Sequence, residues 1–130
     1  MQVKTAVIAA WIVLMTFTPG IAQDRTQRAL ASLAPYERSH QACIIRGLDA
    51  LHKDKRLRTA DRMKTSIFSR AVLDGTSLSA KGGAVRSNHR WYALNFNCDL
   101  TEDLMKARTF KYELGQEIPK DQWDDLGLWP

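Results

Sequence analysis

At 130 residues with 45% apolar side chains, the chain is sized for one domain with a modest core. Nineteen Lys and Arg against fourteen Asp and Glu give a net charge of +5, too mild to argue for nucleic acid as a partner. The two cysteines have no zinc-type spacing around them, which argues against a metal pair.

Lys4 precedes an uncharged apolar run from Thr5 to Phe17, and Thr18, Pro19 and Gly20 then break any helix. Gly20 and Ala22 put small residues where a signal peptidase reads, so residues 1–22 are expected to be a removable signal peptide. The run is short against the roughly 20 apolar residues of a spanning helix, although an uncleaved anchor is the alternative. Residues 23–130 are expected as one periplasmic or secreted α+β domain with no membrane span. Cys43 and Cys98 then read as one disulfide, because export meets an oxidising compartment. Chain entropy puts a bond closing so long a loop at about 4 kcal/mol.

Asp24 and Gln27 have capping-box spacing ahead of Ala29, Leu30 and Leu33, which predicts a short helix. Pro35 suits the first turn of a main helix running to about Lys53. Helical periodicity puts Leu51, Ile44, Leu48 and Ile45 on one apolar stripe with Cys43 at its edge. Glu37 and Gln41 interrupt that stripe, which suggests that the first turns overhang the core. Lys53 to Lys64 carries six basic residues against two Asp and reads as a connection, with room for a helical turn at Ala60 to Lys64.

From Thr65 the period changes to two. Strands are predicted at Ser66–Asp74 and Thr76–Ser87, joined by a tight Asp74-Gly75 turn. Inward positions shift from Leu78 and Ala80 to Val85 across Gly82-Gly83, as a β-bulge would cause. Asn88-His89 is the next turn. The strand Arg90–Asp99 puts Tyr92, Leu94, Phe96 and Cys98 on the core face, with Trp91, Ala93, Asn95 and Asn97 opposite. A fourth strand, Lys106–Leu114, turns Phe110, Tyr112 and Leu114 inward, and Pro119 opens a last helix to about Asp125. The expected fold is a main helix packed on a four-stranded antiparallel meander, with short terminal helices. Cys43 and Cys98 meet between helix and sheet.

The ordered segments QACIIRGLDAL, AKGGAVRS (Ala80–Ser87), RWYALNFNCDL, FKYELG and IPKDQWDDLGL resemble the domain of unknown function 930 family of exported alphaproteobacterial proteins. The likeness runs from Cys43 to Leu126, with Ala84-Val85 where the family favours Ala-Phe. It implies export and a single domain, and it implies no activity, cofactor or catalytic residue.

No residue set spells out a reaction. His40 and His52 lie 12 residues apart, about 18 Å along a helix, too far to share a metal. The serines lack a nucleophile-elbow motif, and Asp99, Glu102 and Asp103 are thin as a calcium site. No cofactor or metal is expected. The strongest surface signal is basic: Lys53, Lys55, Arg56 and Arg58, with Arg86 and Arg90 from the sheet and Trp91 as an aromatic anchor. These residues suggest a non-enzymatic module that contacts an anionic envelope component or a periplasmic protein. An envelope hydrolase, or an inhibitor of an envelope enzyme acting through Asn88-His89, is the alternative. A solvated basic loop, and a Trp91 covered by a terminal segment, are the plainer readings of the same residues.

Overall fold

The computed structural model describes residues 20–130, so most of the expected signal peptide lies outside the described residues. Two helices come first, α1 (Gly20–Ala31) and α2 (Pro35–Leu51). Five strands follow: β1 (Ala60–Lys64), β2 (Val72–Asp74), β3 (Ser77–Ser87), β4 (Arg90–Leu100) and β5 (Ala107–Glu117). A 3-10 turn at Lys120–Gln122 leads into α3 (Trp123–Leu126). All strand pairs are antiparallel, and the fold is α+β with α2 laid on the sheet. Among the described residues no helix is long and apolar enough to cross a membrane.

The expected meander is present as β2-β3-β4-β5, and β1 is an additional strand beside the far half of β3. Ala60–Lys64 is therefore strand where a helical turn had room. Ala60 and Met63 are its buried residues, and a bulge between Ala60 and Arg62 breaks the alternation that would have marked it. The strand expected from Ser66 shrinks to β2. Residues 66–71 leave the sheet because the backbone N–H groups of Ile67 and Phe68 both donate to the Gly82 carbonyl. A Cβ on Gly82 would lie 2.3 Å from the Ser69 nitrogen, so only glycine admits this approach. The register shift between Ala80 and Gly83 is the expected bulge, and it carries the buried side chains from Leu78 and Ala80 to Val85.

The buried face of α2 is rotated from the expected stripe: Leu51 is fully buried and Ile44 and Leu48 pack against the core, but the closest contact runs along smaller residues. Ser39, Cys43, Gly47 and Leu51, four residues apart, are its buried line, while Ile45 is 51% exposed. Gly47 explains the rotation: a Cβ there would come within 2.9 Å of Met63 Sδ and the Phe110 ring. Small residues let the helix approach closely, so Cys43 sits within the contact line rather than at its edge. Cys43 and Cys98 are both fully buried and bonded, with Cα atoms 6.1 Å apart. The core around them includes Leu78, Leu94 and Phe96.

The helix α1 begins before Asp24, which is therefore inside it rather than its cap, and Leu30 is the buried one among its described side chains. Arg38 ties it down. Its guanidinium donates to the carbonyls of Leu30, Ala31, Leu33 and Asp103, each at 3.0 Å.

The opposite sheet face holds a second core of Ala84, Trp91, Ile118, Trp123 and Leu128. It lies under the C-terminal segment, whose α3 ends on Gly127 at φ 66°, with the Leu128 N–H returning to the Trp123 carbonyl. Of the two readings of Trp91, a contact anchor on an open face or a residue covered by a terminal segment, the second holds: Trp91 is fully buried, because its indole needs apolar cover and residues 118–129 supply it.

Candidate functional site

The basic segment forms a tightly turned loop between α2 and β1. Leu57 anchors it, fully buried, and the N–H groups of Asp54, Leu57 and Ala60 bond to carbonyls three residues back. A ring nitrogen of His52 also bonds to the Ala60 carbonyl. Asp54 is the hub: it accepts from the Arg56 backbone N–H and guanidinium and from the Tyr112 hydroxyl at 2.8 Å. The Arg56 hydrogen bonds hold the Asp54 carboxyl well below the usual aspartate range. Burial, and then donation to Asp54, push the Tyr112 phenol up.

The seven contact residues expected from the sequence are thus divided. Arg56 serves Asp54. Arg86 forks onto Asp61 at 2.6 and 2.9 Å and donates to the Pro130 carbonyl, with its side chain 11% exposed. Arg90 lies 3.7 Å from Glu117. Trp91 is beneath the C-terminal segment. Lys53, Lys55 and Arg58 remain exposed and, among the described residues, have no ion-pair partner. Arg86 and Trp91 are therefore structural and do not extend the basic loop into one aromatic contact face.

A second site is polar and was not expected. Tyr36, Glu37 and His40 from the first turns of α2 face Thr65, Ser66 and Arg70 across a pocket of about 320 Å³. The His40 imidazole is 8% exposed, its Nδ1 lies 2.5 Å from Thr65 Oγ1, and its ring stacks obliquely on Tyr36. Its Nε2 is buried without a hydrogen-bond partner, a state that costs about 1–3 kcal/mol. Burial lowers the His40 pKa, with Glu37 opposing and Arg70 adding to the shift. The loop carrying Thr65 to Arg70 is placed by the Gly82 approach and by Ser66 Oγ, which accepts the Ala71 N–H at 2.9 Å. A signal for this site was present in the sequence: polar Glu37 sits within the apolar stripe of α2. The partners of these α2 residues, 25 or more positions away, carried none.

The other candidates are occupied within the fold. Asp99 accepts from Thr109, and Asp103 accepts from Thr101 and the Met105 N–H, so the acidic cluster holds the β4–β5 turn. Among the described residues no three His, Cys, Asp or Glu side chains gather as a metal site. His89 is exposed at the β3–β4 turn with φ 60°.

No curated protein and no solved structure matches the chain. Among the described side chains the first buried residue of α1 is Leu30 and the last of the C-terminal cover is Leu128, and between them run both cores, the disulfide, the basic loop and the polar pocket. A family match spans the same stretch, residues 30–128, and by it the chain belongs to the family described as Domain of Unknown Function (DUF930).

Proposed function

We propose that the chain is an extracytoplasmic binding module and that the basic loop after α2 is its contact surface for a polyanionic envelope component. The observation behind this reading is the contrast within the loop. Its backbone and Asp54 are fixed by internal bonds, while Lys53, Lys55 and Arg58 project without a carboxylate partner among the described residues. A fixed loop loses little further freedom on binding, which favours affinity for a diffuse negative partner. The buried disulfide suits an oxidising compartment. The hydrolase alternative has the Thr65–His40 contact in its favour, but Thr65 is 7% exposed and His40 Nε2 has no acid to orient it.

Elution from an immobilised polyanion tests the proposal, followed by pull-down from envelope extracts at low and high salt. A Lys53→Glu, Lys55→Glu, Arg58→Glu variant should elute at much lower salt than the parent. A control of equal net charge, Lys81→Glu, Lys111→Glu, Lys120→Glu, should elute clearly later than the loop variant. Equal elution of the two variants would remove the loop as a specific surface.

A further inference from the structure

The pocket between α2 and the loop before β2 holds two opposite charges that do not meet. Glu37 and Arg70 both line it, yet among the described residues neither forms an ion pair. Arg70 is held in place by Tyr36: its Nε donates to the Tyr36 hydroxyl at 3.3 Å, and its guanidinium carbon lies 5.1 Å from the ring centroid. Tyr36 is itself fixed, donating to the Ala71 carbonyl at 2.7 Å. The two terminal nitrogens of Arg70 have no partner among the described residues, which leaves a fork suited to a carboxylate. His40 and Thr65 are the buried members of the lining, and His40 Nε2 is buried there without a hydrogen-bond partner.

We propose that this pocket binds a small zwitterion of amino-acid size, its carboxylate on the Arg70 fork and its ammonium on Glu37. The volume of about 320 Å³ fits such a molecule. A purely anionic ligand would meet Glu37, and a purely cationic one would meet Arg70, so the pair selects for both charges on one molecule. Burial disfavours the charged form of His40, which lessens a competing positive charge. This site is separate from the basic loop, and the two readings fail independently.

The test is an NMR titration of the purified chain that follows the His40 imidazole and the Thr65 amide. Glycine, alanine and glutamine are the zwitterionic probes; acetate, methylamine and inorganic phosphate are the single-charge probes. At least one amino acid should give saturable shifts, with each single-charge probe weaker by about tenfold or more. Arg70→Ala and Glu37→Gln should each weaken that binding by about tenfold or more while the urea midpoint stays near the parent's, and Arg70→Lys should recover part of it. The Lys53, Lys55, Arg58 variant should bind as the parent does. No saturable shift with any amino acid, tighter binding of phosphate or acetate, or indifference to both substitutions would overturn the proposal.

Discussion

The indole N–H of Trp91 donates to the backbone carbonyl of Trp129 at 2.7 Å, and the two rings meet edge to face with centroids 6.0 Å apart. One hydrogen bond thus joins the middle of the sheet to the end of the C-terminal segment. Lys64 adds a bond to the Gly127 carbonyl and lies 4.2 Å over the Trp129 ring, and Trp123 donates to the Ile118 carbonyl. Trp123→Ala should cost about 3–5 kcal/mol of stability, since it empties the middle of this second core. Urea unfolding measures the loss, and a red shift of tryptophan emission before global unfolding should report water reaching Trp91.

Arg38 should be intolerant of lysine. Its planar fork supplies N–H groups to four carbonyls on three segments, and one ammonium has neither the number nor the directions. Arg38→Lys is expected to cost about 2–4 kcal/mol. Amide hydrogen exchange should show α1 and the turn at Asp103 losing protection first. Uniform protection in the variant would contradict the clasp.

Stability should fall with pH in two windows. The unfolded chain takes up a proton on His40 as the pH drops through 6.5, whereas the buried imidazole resists it, so the folded state loses ground from there downward. Asp54, Asp61 and Asp103 are held below their usual 3.8 by Arg56, Arg86 and Thr101 respectively. Their contribution is complete above 3.8 and is lost as the pH falls through the depressed folded values. Urea midpoints against pH check both. His40→Asn should flatten the upper window and leave the lower one in place.

The β3–β4 turn carries a removable strain. Asn88 and His89 both have positive φ, 52° and 60°, the pattern of a turn that prefers Asn-Gly. His89→Gly should raise stability by about 1 kcal/mol, read from the thermal or urea midpoint, because His89 is exposed and its side chain makes no hydrogen bond among the described residues. A neutral or negative change would mean that unfolded-chain entropy outweighs the strain.

The strands with strict alternation were legible in the sequence. Phe96 and Cys98 on β4, and Phe110 and Tyr112 on β5, face the main core as their period of two requires. Cys98 and the helix carrying Cys43 followed from that parity. The phase of α2 did not, because periodicity weighs Ile44, Ile45 and Leu48 heavily, whereas close approach is decided by the smallness of Ser39, Cys43 and Gly47. For Trp91 the sequence left both readings open for a related reason: a face alternating with Asn95 and Asn97 looks wet until a distant segment is laid over part of it. The polar pocket depends on where the Gly82 carbonyl draws the loop at Ile67 and Phe68, a contact between segments that no local pattern encodes. Of the basic residues, the sequence could mark the cluster but could not separate Arg56 and Arg86, spoken for by Asp54 and Asp61, from Lys53, Lys55 and Arg58.

The bond between Cys43 and Cys98 spans 55 positions and encloses the exposed loop at Lys53–Thr59 and the one at Ser66–Arg70. A protease that clipped either loop would therefore release no fragment. The two pieces would stay one covalent molecule until a reductant parted them, so the basic loop and the Arg70 side of the pocket sit where a backbone break is least able to dismantle the protein.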